Sequence, residues 1–226
     1  MAKYFAFSID DGTIYDGLTI ALFNRFGIRA TFNLNSGLSD YVWYLDGRPI
    51  RRFNLEEAVH LYDGHEVASH TLHHPDLAYL DENAIRYEVG ADVENLRNIF
   101  HRDVTSFATP FESCGEREIS AIREVEGISA IRMSKIDESF SFPRDPYHIK
   151  CTCFEIDRAL TLLDAFLSIP GDAVFVYAGH SYDFALQEDG FPKLERLIKV
   201  LIASGKVEFI TMAEIAGLIK QKHVFA

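Results

Sequence analysis

Residues 66–75 have the sequence Glu-Val-Ala-Ser-His-Thr-Leu-His-His-Pro. The apolar start of this segment predicts a strand, and His70 and His74 follow it four residues apart. A single helical turn at the end of the strand would place both imidazoles on the same side. Pro75 disfavours a helical conformation at His74, so the turn cannot extend into a long helix. Two imidazoles that converge at a strand end form half of a metal site, and a solvated histidine-rich loop is the alternative.

Strands and helices alternate along the whole chain, and several strands are apolar on both faces, as in a parallel sheet covered by helices. We therefore predict an α/β fold, a distorted or incomplete (β/α) barrel of about seven strands, in a single domain of residues 1–226. The strands are predicted at residues 3–9, 29–34, 66–68, 104–108, 128–133, 173–178 and 207–210. Helices are predicted at 18–26, 54–62, 81–100, 116–125, 159–169, 191–203 and from 211 onward, with long loops at 35–52 and 134–150.

The composition excludes several classes of function. The formal net charge of −12 makes nucleic acid and anionic membrane surfaces unsuitable partners, because both require a basic face. No apolar stretch is long enough to span a bilayer. The N-terminal residues lack the features of a signal peptide, so we expect a cytoplasmic protein. Cys114, Cys151 and Cys153 form no disulfide framework. The two later cysteines alternate as in a buried strand, and a cysteine metal site is the alternative.

Polar residues follow several of the predicted strands. Because a (β/α) barrel places the carboxyl ends of all its strands on one face, these residues are expected to share one cleft. The first strand is followed by an acidic pair, the third by the two histidines, the fourth by a Pro-Phe pair and the penultimate strand by a His-Ser-Tyr-Asp segment. The expected cleft residues are Asp10, Asp11, His70, His74, Pro110, Phe111, His180, Tyr182 and Asp183.

The types of these side chains suggest their roles. Two adjacent carboxylates point in different directions, so one can bind a metal while its neighbour acts as a base, although an ordinary acidic turn is the alternative for Asp10 and Asp11. His180 is a candidate general acid, because the pKa of a histidine lies near neutrality; the alternative is a structural histidine at a strand end. His73 is excluded from the ligands because its spacing from His70 suits a shared face less well.

Four segments resemble the motifs of the polysaccharide deacetylase family, also called carbohydrate esterase family four. Residues 7–12, Phe-Ser-Ile-Asp-Asp-Gly, resemble its first motif, Thr-Phe-Asp-Asp-Gly. Residues 70–75 match its second, His-Ser/Thr-x-x-His-Pro. Residues 107–111, Phe-Ala-Thr-Pro-Phe, resemble a variant of its third, Arg-x-Pro-Tyr. Residues 179–184, Gly-His-Ser-Tyr-Asp-Phe, are similar to the Gly-His-Ser-Tyr-Glu-Phe segment of a bacterial branch.

This resemblance implies a chemistry. Asp11, His70 and His74 would bind one divalent metal, most suitably zinc, with cobalt or manganese able to substitute. Asp10 would take a proton from the attacking water, and His180 would protonate the departing amine. The backbone N–H of Phe111 would stabilise the oxyanion, and Pro110 and Tyr182 would complete the substrate site. The implied reaction is removal of N-acetyl groups from an acetamido sugar or oligosaccharide.

The sequence also departs from the family pattern. Ala108 occupies the position of the third-motif arginine that usually holds the base, so another arginine would have to replace it or Asp10 would be a weaker base. The tryptophan-bearing fourth motif is not recognisable, and Trp43, the only tryptophan, lies in the predicted loop 35–52. Asp157 is a candidate to orient His180, and Asp183 is a further candidate site residue.

Three functions remain open at this point. The first is a metal-dependent hydrolase of N-acetylated saccharides. The second is a hydrolase of a C–N bond in a small amide that is not a sugar. The third is a non-catalytic, metal-stabilised glycan-binding protein, suggested by the missing arginine. The three differ in whether the chain releases acetate, and from which class of substrate.

Overall fold

The computed structural model describes residues 2–112 and 114–224. Within these residues the strands are β1 (Lys3–Asp10), β2 (Thr31–Leu34), β3 (Val42–Leu45), β4 (Arg48–Arg51), β5 (Glu66–Ser69), β6 (Ser106–Ala108), β7 (Ala130–Ile136), β8 (Ile149–Cys151), β9 (Ala173–His180) and β10 (Val207–Phe209). The helices are α1 (Asp16–Arg25), α2 (Glu82–Phe100), α3 (Glu116–Arg123), α4 (Ile156–Ser168), α5 (Ser181–Leu186), α6 (Gly190–Ala203) and α7 (Met212–Val224). Strands and helices alternate over most of the chain. The exceptions are β2 to β5, which no α-helix separates, and the consecutive pairs β7–β8 and α5–α6.

The main sheet is parallel and curls into an incomplete barrel. Its strands are hydrogen-bonded in the order β10-β1-β2-β5-β6-β7-β8, and β9 pairs with β1 along its full length. The side between β8 and β9 is joined by a short bridge between Cys153 and Tyr177 just beyond β8. This architecture confirms the predicted distorted or incomplete (β/α) barrel in one domain.

Strand β1 shows how the sheet separates two kinds of surface. Phe5, Phe7 and Ile9 are fully buried in the large core that the strands form with the surrounding helices. The intervening side chains point to the inside of the curled sheet, because successive residues of a strand face opposite sides. Ala6 lies there in an apolar cluster, and Ser8 and Asp10 follow it toward the carboxyl end. The interior therefore changes from apolar to polar along the strand.

The final helix fills the apolar half of this interior. Met212, Ile215 and Ile219 of α7 pack against Ala6 and Val176 of the strands. The predicted capping box is present at the start of α7, where the Thr211 N–H donates to Glu214 Oε2 at 2.8 Å. Because α7 occupies the interior beside the early part of β1 and β9, the open part of the barrel lies at the carboxyl ends of the strands.

The predicted loop 35–52 contains a β-hairpin. Strands β3 and β4 pair in antiparallel fashion, with Leu45 opposite Arg48. The two turn residues, Asp46 and Gly47, have φ values of +49° and +75°. Two consecutive positive φ angles suit a type I′ turn, for which Asp-Gly is a preferred sequence. The loop prediction was therefore wrong here, and the overlooked signal was Asp46-Gly47 between two short β-forming segments.

Three other predictions were also inaccurate. The predicted loop 134–150 contains the end of β7 and most of β8. The helix predicted at residues 54–62 is reduced to a turn and a short 3₁₀ helix, Val59–Tyr62. The Asn54 side chain does accept from the N–H groups of Glu56 and Glu57, as a helix cap would, but the helical bond from Ala58 to Asn54 is followed by a tighter bond from Leu61 to Ala58. Residues 181–186 form α5, which the sequence analysis did not predict. In the part of the chain that the structure describes, none of the helices is long and apolar enough to cross a membrane.

Candidate metal centre and active site

A cleft of about 640 Å³ opens at the carboxyl ends of the strands. The strand register sets its composition, because Asp10 pairs with Asn33 on one side and with His180 on the other. The walls of the cleft bring together most of the residues expected from the sequence, with several aromatic residues around them: Asp10, Asp11, Leu38, Tyr41, Trp43, Arg52, His70, His73, His74, Phe111, Glu112, Ser134, Phe154, His180 and Tyr182.

Asp11, His70 and His74 form a cluster with one potential ligand atom each, and these atoms all lie within 4.8 Å of one another. The helical turn expected at residues 70–74 is absent. Thr71 and His74 instead have φ values of +70° and +54°, which fold the segment back so that the two imidazole centroids lie 4.8 Å apart. The two histidines therefore converge as predicted, but a turn with left-handed residues brings them together, not a helical turn. Asp11 also has a positive φ, +81°, immediately after β1.

The surroundings of His70 leave one ring nitrogen free for a metal. His70 Nδ1 lies 2.8 Å from the carbonyl oxygen of Ala108, to which it can donate only as the Nδ1–H tautomer. Nε2 then faces the cleft with its lone pair. Burial lowers the pKa of His70 well below its ordinary value, and the neighbouring His74 lowers it further. A neutral imidazole with a fixed outer hydrogen bond is the form that binds metals.

Asp92 of α2 supports the turn from beneath. Its buried carboxylate accepts hydrogen bonds from the backbone N–H of Ser36 at 2.7 Å and from Ser69 Oγ at 2.6 Å. The backbone N–H of His70 lies 3.3 Å from the same carboxylate. Asp92 therefore ties the strand end that carries His70 to the loop after β2. Nothing in the spacing of α2 distinguished Asp92 from an ordinary helix residue.

His73 lies at the mouth of the cleft and outside the ligand cluster. Its backbone N–H and its Nδ1 both contact the carboxylate of Glu88, at 2.9 Å each. The side chain is half exposed. This placement agrees with the exclusion of His73 from the predicted ligands.

Arg52 is an unpredicted neighbour of Asp11. Its guanidinium donates to Asp11 Oδ1 at 2.6 Å and to the backbone carbonyl of Asp11 at 2.8 Å, and both side chains are buried. Burial raises the pKa of Asp11, but His180 and then Arg52 lower it by more, so the pKa lies below its ordinary value. The ion pair fixes one carboxylate oxygen of Asp11, and Oδ2 lies on the side of His180, 3.8 Å from its Nε2.

Arg132 replaces the arginine that is missing at position 108. Its guanidinium, fully buried on β7, forms an ion pair with Asp10 Oδ1. Asn33 Nδ2 donates to the same oxygen at 2.7 Å. In the sheet Arg132 pairs directly with Ala108 of β6, so an arginine on the strand next to position 108 reaches Asp10. Asp10 Oδ2 faces His70 Nε2 at 4.0 Å.

His180 is oriented by Asp183, and the suggestion that Asp157 orients it is corrected. His180 Nδ1 lies 2.9 Å from Asp183 Oδ2, which also accepts from the backbone N–H of His180 at 3.1 Å. Asp157 is an exposed residue of α4 that pairs with Lys193 at 2.8 Å. Burial lowers the pKa of His180, but the hydrogen bond with Asp183 and the charge of Asp11 outweigh it and raise the pKa to about 9.

Tyr182, Phe111 and Pro110 also lie close to the cluster. The Tyr182 hydroxyl donates to Asp11 Oδ2 at 3.2 Å, and its ring stacks on His180 with centroids 4.6 Å apart. Phe111 has a φ of +56° and places its ring edge-on to His74, at 4.9 Å between centroids. Pro110 is buried. The oxyanion role of the Phe111 N–H and the substrate roles of Pro110 and Tyr182 stay predictions.

The donor set fits a divalent metal. Two imidazole nitrogens and one carboxylate match the three protein ligands of catalytic zinc sites, which keep a further position open. His70 and Asp11 are in addition held by outer hydrogen bonds, to Ala108 and Arg52. Asp11, His70 and His74 all line the open cleft. Cys151 and Cys153 are buried elsewhere, and Cys151 Sγ lies 3.1 Å from the carbonyl oxygen of Met133.

Comparisons with solved structures show the same fold. A protein of Mycobacterium smegmatis, provisionally assigned as a polysaccharide deacetylase, aligns with 98% of this chain and 91% of its own, at a TM-score of 0.71 and 14% identity. A family 4 acetyl xylan esterase of Clostridium thermocellum, solved with a cobalt ion, aligns with 95% of this chain and 91% of its own, at a TM-score of 0.62 and 13% identity. These identities are too low to transfer an activity.

A further structural neighbour is a CE4 family pseudoenzyme of Bacillus anthracis. It is 15% identical, covers 95% of this chain and 66% of its own, and has a TM-score of 0.59. No curated protein matches the sequence well enough to count as a relative. The family model for polysaccharide deacetylases matches residues 2–126, which are 125 of the 226 residues. This match includes Asp10, Asp11, His70 and His74, and the chain therefore belongs to the polysaccharide deacetylase family.

Proposed function

We propose that this protein is a metal-dependent hydrolase that removes N-acetyl groups from an acetamido sugar or a short oligosaccharide. The observation that carries the proposal is the meeting of Asp10, Asp11, His70, His74 and His180 in one open cleft. Family membership supports a carbohydrate deacetylase, and the cluster of three ligands supports metal dependence. Zinc suits these ligands best, and cobalt or manganese can take the same donors.

Asp11, His70 and His74 would hold the metal. When bound there, a divalent cation lowers the pKa of a water molecule to about 7 and polarises the substrate carbonyl. The remaining steps belong to side chains that do not bind it. Asp10 is suited to take the proton of the attacking water, because its Oδ1 is held by Arg132 and Asn33 while Oδ2 faces the cluster.

His180 is suited to protonate the departing amine. Its Nδ1 is held by Asp183, so Nε2 points into the cleft. There it faces Asp11 Oδ2, whereas His74 faces the other carboxylate oxygen, Oδ1. The backbone N–H of Phe111 is the proposed donor to the oxyanion, since the positive φ of this residue turns the peptide at the cleft edge. The products are acetate and a free amine, and the amine is cationic at neutral pH.

The observed arrangement favours catalysis over simple glycan binding. The missing arginine at position 108 was the reason to consider a non-catalytic protein, and Arg132 supplies a cation to Asp10 from the next strand. Burying an ion pair such as Arg132–Asp10 costs free energy. A protein that only binds glycans has no need to orient a general base in this way. Hydrolysis of a small amide that is not a sugar remains the second candidate, because the same residues would cleave it.

The test measures acetate released from N-acetylglucosamine oligomers and from N-acetylethanolamine by protein loaded with zinc. We expect turnover of the oligomers, loss of turnover after chelation, and recovery on adding zinc. Asp10→Asn is expected to lower kcat by at least about 100-fold. Turnover of N-acetylethanolamine alone would favour the second candidate. Tight binding of oligomers by fully metallated protein without acetate release would reject the proposal.

A further inference from the structure

The hairpin formed by β3 and β4 places the single tryptophan of the chain at the cleft. Trp43 lies opposite Ile50 in the hairpin register, and Ile50 is fully buried. Tyr44, the next residue of β3, points to the other side and is 72% exposed. This alternation follows from the two-residue period of a strand. The turn at Asp46 and Gly47 therefore fixes which side chain of the hairpin faces the cleft.

Trp43 is held in place by two contacts with the site. The guanidinium carbon of Arg52 lies 4.7 Å from the centre of the indole, a cation–π contact. The ring of Tyr182 meets the indole edge to face, with centroids 5.8 Å apart. Since Arg52 and Tyr182 both hydrogen-bond to Asp11, the hairpin is tied directly to the candidate metal ligand. Trp43 is thus an ordered part of the site and not a loose surface residue.

The cleft surface around Trp43 is partly aromatic, and the chain as a whole is acidic. Trp43, Tyr41 and Glu112 are among the residues that line the cleft. The whole chain carries a formal net charge of −12, which disfavours anionic ligands. A cavity of about 640 Å³ has room for a small saccharide. Hexose rings present an apolar C–H surface alongside their hydroxyl groups, and a flat aromatic wall buries such a surface.

We propose that Trp43, presented by the β3–β4 hairpin, is a specificity-determining residue that packs against the pyranose ring of a neutral N-acetylated hexosamine. This inference rests on the proposed function and adds to it the means of substrate selection. It assigns to the hairpin a role in binding the sugar ring, separate from the residues that act on the acetamido group. Small acyclic amides and anionic glycans are then poorer ligands.

The first experiment uses Trp43 as its own reporter. Because the chain has a single tryptophan, intrinsic fluorescence excited at the indole band reports on Trp43 alone. Zinc-loaded Asp10→Asn protein is titrated with N-acetylglucosamine trimer, with N-acetylethanolamine, and with an anionic hyaluronan oligomer. We expect a saturable change in intensity with the trimer and none with the other two at equal concentration. Equal responses to all three, or no response to the trimer, would overturn the proposal.

The second experiment measures kinetics of acetate release. Trp43→Ala is expected to raise KM for the trimer about tenfold, equivalent to about 1.4 kcal/mol, with a smaller change in kcat. Trp43→Phe is expected to retain most of the wild-type KM, because it keeps an aromatic wall. Tyr44→Ala is the matched control from the outer face of the same strand and is expected to behave as wild type. An unchanged KM in Trp43→Ala would contradict the proposal.

The two experiments separate this inference from the proposed function. If the wild-type protein releases no acetate, the proposed function fails, and the fluorescence titration still decides whether Trp43 meets the sugar. If wild-type turnover is normal and Trp43→Ala matches it, the specificity role fails while the deacetylase proposal stands. Should Trp43→Ala not fold, the fluorescence titration of protein with Trp43 intact decides the question.

Discussion

The guanidinium of Arg132 is bonded to the carboxylate of Asp10, although the two residues lie 122 positions apart in the chain. Both side chains are buried, and Arg132 also donates to Ser134 Oγ at 2.7 Å. Asp10 therefore has a fixed orientation, with Oδ1 held by Arg132 of β7 and Oδ2 lying 4.0 Å from His70 Nε2. The arrangement implies that Arg132 acts on the reaction through Asp10.

Removing Arg132 is expected to harm both stability and activity. Arg132→Ala leaves the buried Asp10 carboxylate without its cation, and the free energy of unfolding should fall by about 3–5 kcal/mol. Acetate release should fall by at least about tenfold at a temperature where the variant is folded. Urea denaturation and the acetate assay measure the two effects.

A paired variant separates positioning from structure. Because Ala108 and Arg132 are register partners, the double variant Ala108→Arg/Arg132→Ala returns a guanidinium to the same interior from β6. We expect it to recover a large part of the activity lost in Arg132→Ala. Activity of Arg132→Ala within twofold of wild type would show that Asp10 does not depend on this cation.

The contact between Asp183 and His180 predicts a second change in activity. Asp183→Ala removes the acceptor at His180 Nδ1, so the imidazole loses its fixed orientation toward the cleft. We expect kcat to fall by about 10- to 100-fold, with zinc affinity within about threefold of wild type. Asp157→Ala is the control, because Asp157 pairs with Lys193 on the surface. Equal kinetics in the two variants would argue against the assignment of Asp183.

Asp92 should influence the metal site without touching the metal. Asp92→Asn replaces an acceptor of several N–H and O–H groups with an amide that can donate, so the turn carrying His70 should loosen. We expect zinc affinity to fall by about tenfold and the free energy of unfolding by about 1–3 kcal/mol. Glu88→Gln is the control on the same helix, since Glu88 holds the non-ligand His73. Calorimetric zinc titration that finds both variants equal to wild type would reject the supporting role.

His65 predicts a specific loss of stability in acid. Burial and, to a smaller extent, the charge of Arg102 together lower the pKa of His65 to about 4, and its Nδ1 accepts from the backbone N–H of Ala30 at 3.2 Å. The unfolded chain binds the proton more readily, so the contribution of His65 is complete above its ordinary pKa of about 6.5 and is lost as the pH falls toward 4. Between pH 7.5 and 5 this loss should reach about 2 kcal/mol.

The measurement is urea unfolding at pH 7.5 and 5 for three proteins. His65→Gln keeps a donor and an acceptor but does not titrate. Between pH 7.5 and 5 its free energy of unfolding should therefore decrease by about 2 kcal/mol less than that of the wild type. His60→Gln changes a side chain that is 93% exposed and should show the wild-type difference. An equal pH dependence in His65→Gln and wild type would contradict the prediction.

The sequence was sufficient for the fold and for the residues that end the strands. Asp10, Asp11, His70, His74 and His180 each follow or end a strand, and parallel strands bring their carboxyl ends to one face. Their meeting needed only the alternation of strands and helices and the order along the chain. The family motifs at residues 7–12 and 70–75 then distinguished these side chains from other polar residues.

The residues that support the site were harder to predict, because their contacts depend on register across distant strands. Arg132 lies inside β7 between apolar neighbours, and only its pairing with Ala108 shows that it reaches Asp10. Arg52 lies just after a hairpin that was predicted as a loop. Asp183 was available from its position three residues after His180 at a helix start, whereas Asp157 lies on the exposed face of α4.

The most direct test of the account is calorimetric titration of metal-free protein with zinc, with the bound metal counted after dialysis. We expect one zinc per chain in the wild type, retained in His73→Ala and lost or weakened by at least about 100-fold in His74→Ala and His70→Ala. Adjacent histidines would then differ because only one of them belongs to the cluster with Asp11. Equal zinc binding by His73→Ala and His74→Ala, or no stoichiometric binding by the wild type, would contradict the claim that Asp11, His70 and His74 form a metal centre.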